Sequence, residues 1–179
     1  MPKVLIAIAD GIEELETAAV SDTLKRAGAE ITIAAVGRPQ IVASRGLRIL
    51  ADCLIDEVEG EFDLIVLPGG MPGAENLRNS AKLKQLLKDQ NEQGRLIGAI
   101  CALPAVVLER HGLLKAKRAT CFPAYLELLD QPVDEAVVVD GQTVTSQGPG
   151  TAIEFALTLV EKLYGPAKRA EIAAQMLVK

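Results

Sequence analysis

Histidine occurs once in this chain of 179 residues, at position 111. That scarcity excludes a His-based zinc site, which draws on several imidazoles. Cysteine is also scarce: Cys53, Cys101 and Cys121 are odd in number and irregularly spaced, so they form neither a disulfide framework nor a C-x-x-C metal pair. A reducing cytoplasmic setting fits such a set. No apolar run approaches the ~20 residues that span a bilayer. The longest near the N-terminus, Val4 to Ala9, stops at Asp10-Gly11 without the cleavage pattern of a signal peptide. Nor is there an excess of basic charge. At a net charge of −5 and a pI near 5.0, no broad positive field exists for nucleic acid as an obligate partner. The one basic cluster, Lys115 to Arg118, reads as a solvated turn.

What is present is apolar and alternating. Hydrophobic residues make up 49% and charged residues 24%, enough for one good-sized core, so residues 1–179 read as a single domain. Short aliphatic runs at Val4 to Ala9, Ile31 to Val36, Asp63 to Leu67, Leu96 to Ile100 and Ala136 to Val139 predict strands, with weaker ones at Leu47 to Leu50 and Thr143 to Thr145. Several are apolar on both faces, as in a parallel sheet covered by helices. Helical patterns fall between them: Glu13 to Ala27 before Gly28, Ala81 to Gln93 before Gly94, and Ala102 to His111 before Gly112, each glycine placed as a C-cap. Thr151 to Glu154 has capping-box spacing and predicts a further helix, which Gly165-Pro166 separates from a last one at Lys168 to Leu177. The alternation predicts a three-layer αβα sandwich with a mostly parallel central sheet.

In such sheets ligands bind beyond the carboxyl ends of the strands. Three of those ends carry chemistry. Cys101 follows a predicted strand and opens a predicted helix, where a helix N-terminus would stabilise a thiolate; it also fits as a small core residue. Glu16 shares a helical stripe with Val20, Thr23, Leu24 and Ala27, which turns it toward the sheet and would raise its pKa. Alternatively it complements the helix dipole, as Glu13 and Glu14 can. Gly69-Gly70 lets a backbone point N–H groups at an oxyanion, or is a plain turn. Gly148-Pro149-Gly150 is a turn or a phosphate-accepting helix start. His111 lies ten helical residues from Cys101, about 15 Å along the axis, too far for a Cys-His pair.

Four segments together, Gly11 to Thr17, Leu67 to Gly70, Ala99 to Ala102 and Thr145 to Thr151, resemble the ThiJ/PfpI superfamily in order and spacing, and within it the DJ-one and YajL branch. The resemblance covers nearly the whole chain. It implies a flavodoxin-like fold and a cytoplasmic homodimer. Position by position, it makes Cys101 an oxidation-sensitive nucleophile and Glu16 the protonated acid beside it. Gly70 and Ala102, with Gly69, become an anion pocket of backbone N–H groups. Arg26 and Arg45 line the approach near the interface, and Glu13 and Leu15 belong to that interface. Phe122 stands where the human-type pattern has a histidine near the cysteine, and Ala102 stands where the protease branch has one. The first departure weakens any role for a histidine base and leaves Glu16 as the only titratable helper in the immediate site, and the second argues against a peptidase.

The implied activity acts on reactive dicarbonyls or their early glycation adducts, as a glyoxalase or deglycase without metal or nucleotide cofactor. The implied alternative is an oxidative-stress sensor and chaperone whose Cys101 becomes a stabilised sulfinate. Cys53 and Cys121 read as ordinary buried or half-buried residues.

Overall fold

The computed structural model describes residues 1–178. The first strand, β1 (Lys3–Ile8), is buried at every residue except Lys3. That is the signature of a strand covered on both faces. It pairs in parallel with β2 (Glu30–Ala35) on one side and with β6 (Leu64–Leu67) on the other. Beyond β6 come β7 (Leu96–Ile100), β11 (Thr143–Ser146) and, antiparallel at the edge, β10 (Val137–Asp140). At the other edge β2 pairs with β5 (Cys53–Leu54), and β3 (Gln40–Val42) and β4 (Arg48–Leu50) form a separate hairpin between them in sequence. A second small pair joins β8 (Arg118–Ala119) to β9 (Gln131–Pro132).

The helices α1 (Glu14–Arg26) and α4 (Ala152–Tyr164) pack together, with α5 (Pro166–Gln175) against α4. A second group consists of α2 (Gly73–Arg78), α3 (Ala81–Glu92) and a π-helix at Pro104–Glu109. The result is the three-layer αβα sandwich that the alternation predicts, of the flavodoxin-like kind that the resemblance implies. Gly98 shows how closely the layers meet, because a Cβ there would lie 3.1 Å from both Phe155 Cζ and Leu159 Cδ2. Leu96–Ile100 has the predicted bounds, and β1, β2 and α1 lie within a residue of theirs. Gly28, Gly94 and Gly112 take the left-handed conformation of C-caps.

Two local expectations fail. The run after Cys101 is a π-helix from Pro104 rather than an α-helix from Ala102, closed by Leu113 N–H donating to the Leu108 carbonyl at 2.9 Å. Apolar spacing over six residues does not separate the two windings. Thr151 and Glu154 form no capping box. The Thr151 hydroxyl turns back to accept from Gly148 N at 3.1 Å and to bond Ser146 Oγ at 2.7 Å, while Glu154 pairs with Arg169. A 3-10 turn at Pro149–Thr151 starts the helix instead.

Phe155 has the largest of the fully buried side chains and sits between α4 and the sheet. Replacing it with alanine is expected to lower the unfolding free energy by roughly 3–5 kcal/mol, measured by guanidinium denaturation.

Candidate active site

Successive connections run from β1 to β2 on one side of β1, and from β6 to β7 on the other. The carboxyl ends of β1 and β6 therefore flank the point where the winding reverses, the place where open parallel sheets form a crevice. Three loops meet there: Ala9 to Glu13 after β1, Pro68 to Pro72 after β6, and Cys101-Ala102 after β7.

Glu16 is in the first turn of α1, and Glu13 caps that turn by accepting the Glu16 N–H at 2.9 Å. Glutamate is not among the favoured N-caps, so local propensity alone would not have marked Glu13 for it. The Glu16 side chain is 0% exposed. Its Oε2 accepts the Gly69 N–H at 2.6 Å, while Oε1 is buried without a hydrogen-bond partner. The Gly69 carbonyl in turn accepts the Glu13 N–H at 2.7 Å. The loop after β6 is thus clamped to the start of α1 through both polar atoms of one residue.

Gly69 has no room to be anything larger. A Cβ there would fall on Cys101 Cβ and lie 2.5 Å from Glu16 Oε2. Gly70 takes φ +101°, and a Cβ would meet Glu13 N at 2.5 Å. These are close approaches of backbone to reactive groups, so the loop is not a plain turn.

Cys101 has φ +64°, in the left-handed region that side chains seldom occupy. Two backbone bonds hold it there: its N–H donates to the Ser146 carbonyl at 3.1 Å, and its carbonyl accepts Phe122 N–H at 2.8 Å. The sulfur is half-buried and faces the N–H groups of Gly70 and Ala102 and the Glu16 carboxyl. It lines a cavity of about 300 Å³ with Ser44, Arg45, Met71, Phe122, Tyr125 and others. Phe122 is 41% exposed, and its ring lies 6.4 Å from that of Tyr125.

The electrostatics differ from the sequence expectation for the thiol and agree with it for the acid. Burial pushes Glu16 up to about 7, opposed by the Gly69 N–H. Burial, then repulsion from ionised Glu16, pushes the Cys101 thiol up to about 11, opposed by the N–H groups of Gly70 and Ala102. The low thiol pKa expected from a helix N-terminus is not found, because burial and the Glu16 charge outweigh the N–H groups of Gly70 and Ala102. Sulfur and carboxyl form a coupled pair that loses one proton near neutrality and holds the other far above it.

Of the remaining expected site residues, Arg45 lines the cavity. Its turn is placed by Glu14, whose carboxylate accepts Arg45 N–H at 2.9 Å and Ser44 Oγ–H at 3.2 Å. Sequence reasoning treated Glu14 only as a dipole partner; a contact 31 residues away leaves no local signal. Arg26 does not line the cavity. It sits in the last turn of α1 and pairs with Asp22 at 2.6 Å. Leu15 is 52% exposed. His111 lies beyond the π-helix beside the Arg78 backbone, its pKa pushed down by burial and then by Lys84, and it takes no part in the site. Among the described residues, no group of three or more His, Cys, Asp or Glu is placed to hold a metal ion.

The buried acid makes stability depend on pH. Its folded pKa lies above the unfolded value of 4.5, so the folded state holds the proton more tightly. The associated stabilisation is full below that value and is lost as pH rises through about 7. It amounts to about 3 kcal/mol. Urea denaturation between pH 5 and 8 is expected to show this loss in the wild type and not in Glu16→Gln.

The chain also matches known proteins along its length. A model of the DJ-1/PfpI family matches residues 2–162. Protein DJ-1 homolog B of Arabidopsis thaliana is 51% identical over 181 residues, covering 99% of this chain but only 41% of the relative, so the chain spans about two fifths of that protein. Glutathione-independent glyoxalase DJR-1.2 of Caenorhabditis elegans is 39% identical over 161 residues, covering 87% of this chain and 85% of the relative. Among solved structures, oxidized Toxoplasma gondii DJ-1 superposes with a TM-score of 0.97 at 46% identity, covering 99% of this chain and 98% of that one. With the buried acid, the strained cysteine and the glycine loop all set in a fold shared so closely, the chain belongs to the DJ-1/PfpI family.

Proposed function

We propose that this protein converts small reactive dicarbonyls, or their early glycation adducts, by a cofactor-free glyoxalase- or deglycase-type reaction at Cys101 and Glu16. One observation carries this reading: a fully buried carboxyl with a free oxygen stands beside a sulfur at a cavity that can admit a small aldehyde. The naming of a C. elegans relative as a glutathione-independent glyoxalase supports it.

Once the pair has lost one proton, the reaction runs through the tautomer in which the remaining proton has moved from sulfur to Glu16. The Cys101 thiolate adds to the aldehyde carbon, and the carbonyl oxygen becomes the hydroxyl of a hemithioacetal by taking the Glu16 proton. Backbone N–H groups of Gly70 and Ala102 are the candidate donors to developing negative charge. The Glu16 carboxylate then removes the proton from the hemithioacetal carbon. It returns that proton to the adjacent ketone carbon while the hydroxyl proton passes to the neighbouring oxygen, which leaves a thioester of the hydroxy acid. Water cleaves the thioester, releasing the hydroxy acid and regenerating the thiol. Oxidation of one carbon is balanced by reduction of its neighbour.

A second reading, an oxidative-stress sensor with a chaperone role and a sulfinate at Cys101, draws on the same N–H donors and on the oxidized state of the T. gondii relative. Glu16→Gln separates the two, because it keeps a donor but moves no proton. Turnover of methylglyoxal is expected to fall at least about 100-fold in that variant while peroxide still yields sulfinate. Wild-type turnover by Glu16→Gln would exclude the aldehyde mechanism. The wild-type rate is expected to fall as pH drops below about 7, where the pair regains its first proton; a pH profile of kcat/KM checks it.

The working assembly is a homodimer in the cytoplasm, with Leu15 and Glu13 in the shared face. Leu15→Glu is expected to halve the mass seen by analytical ultracentrifugation.

A further inference from the structure

Cys121 has no part in the reaction proposed above, yet the fold lays it against the reactive cysteine. The bond from Phe122 N–H to the Cys101 carbonyl, at 2.8 Å, makes the backbone at residue 121 the neighbour of the backbone at residue 101. Cα atoms flanking such a bond lie at most about 7.6 Å apart, the sum of two ~2.4 Å backbone reaches and the bond itself. A disulfide spans roughly 4.4–6.8 Å between Cα atoms. Both side chains belong to one apolar cluster, Cys121 at 0% exposure and Cys101 half-buried beside it.

The loop that carries Cys121 is anchored just before it, in addition to the Phe122 bond just after it. Thr120 N–H donates to Thr145 Oγ1 at 3.0 Å, and Val133 N–H donates to the Ala119 carbonyl at 2.8 Å. Cys121 Sγ itself makes one weak bond, to the Phe122 carbonyl at 3.4 Å. A side-chain rotation breaks that bond without moving the backbone. Cys53 offers no such geometry. Its strand β5 is four places from β7 in the sheet, about 19 Å at the usual strand spacing.

We propose that Cys121 is a resolving thiol, which closes an intramolecular disulfide with Cys101 after a hydroperoxide has oxidised Cys101 to the sulfenic acid. In the first step the Cys101 thiolate attacks the peroxide. The O–O bond breaks, one oxygen stays on sulfur, and the other leaves as water or an alcohol. In the second, the Cys121 sulfur attacks the Cys101 sulfur. The S–S bond forms, the S–O bond breaks, and the departing hydroxide takes the Cys121 proton as water. Two thiols have then supplied two electrons to one peroxide, and a small thiol or dithiol reductant reverses the change.

Burial suits Cys121 to this order of events. Desolvation and then the Cys101 charge push its thiol up to about 12, so it stays protonated and unreactive toward peroxide while Cys101 is a thiolate. Once Cys101 carries a neutral sulfenic acid the repulsion is gone, and Cys121 becomes more acidic at the step that uses it. The disulfide would block aldehyde attack reversibly and divert Cys101 from sulfinate. The proposal rests on a nucleophilic Cys101 but not on proton transfer by Glu16.

The test treats the reduced protein with equimolar hydrogen peroxide, alkylates the remaining thiols and maps peptides by mass spectrometry. A Cys101–Cys121 cross-linked peptide is expected, about 2 Da below the sum of the reduced peptides, reversed by dithiothreitol and with Cys53 still alkylated. In Cys121→Ser, and in Cys121→Ala as a second variant, sulfinate at Cys101 is expected to build up at least about 10-fold faster while methylglyoxal turnover is unchanged. Direct passage of the wild type to sulfinate, with Cys121 fully alkylated, would overturn the proposal and leave the aldehyde chemistry standing. Loss of turnover in Glu16→Gln bears only on that chemistry.

Discussion

The bond from the Gly69 N–H to Glu16 Oε2, at 2.6 Å and buried from solvent, is the contact on which the site depends. It ties the carboxyl end of β6 to the first turn of the helix after β1. Burying a carboxyl is unfavourable unless it is hydrogen-bonded or protonated, and here it is both bonded on one oxygen and driven toward protonation by its surroundings. The other oxygen is left for the sulfur. A leucine at this position would fill the space and satisfy the helix stripe, but it would carry no proton and would leave the Gly69 N–H unpaired.

Around that contact the backbone is overdetermined. Cys101 occupies a left-handed conformation that costs on the order of 1–3 kcal/mol. It persists because Ser146, at the end of β11, and Phe122, in the loop after β8, bond its N–H and carbonyl. Gly69 and Gly70 lie so close to Glu16, Cys101 and Glu13 that a methyl group on either would displace them. The same Phe122 bond that stabilises the strained cysteine also brings Cys121 beside it. Reactivity and its control thus share one piece of backbone.

Much of the architecture is legible in sequence because β1, β6 and β7 are buried on both faces and appear as unbroken aliphatic runs. Glu16 is legible as an inward-facing residue because Val20, Thr23 and Leu24 share its stripe, and all four are fully buried. The two-residue strands β5, β8 and β9 are too short to show a period, and α2 opens at Pro72-Gly73, a pair that reads as loop. The π-helix hides because its apolar pattern is that of an α-helix over so short a run. Thr151 misleads: its spacing to Glu154 is that of a capping box, but Ser146 and Gly148 compete for its hydroxyl and Arg169 for the glutamate. The resemblance places Arg26 at the approach near the dimer interface; within the single chain it pairs with Asp22 on its own helix.

By itself, the sequence determined the layered fold, the loops that carry chemistry and the inward face of Glu16, since hydrophobic periodicity and glycine placement are local properties. Tertiary structure decided the rest. The thiol is not activated by a helix end, the Arg45 turn is set by a carboxylate 31 residues away, and Cys121 lies beside Cys101. Each of these depends on distances across the fold, and on desolvation by neighbours that no local pattern encodes.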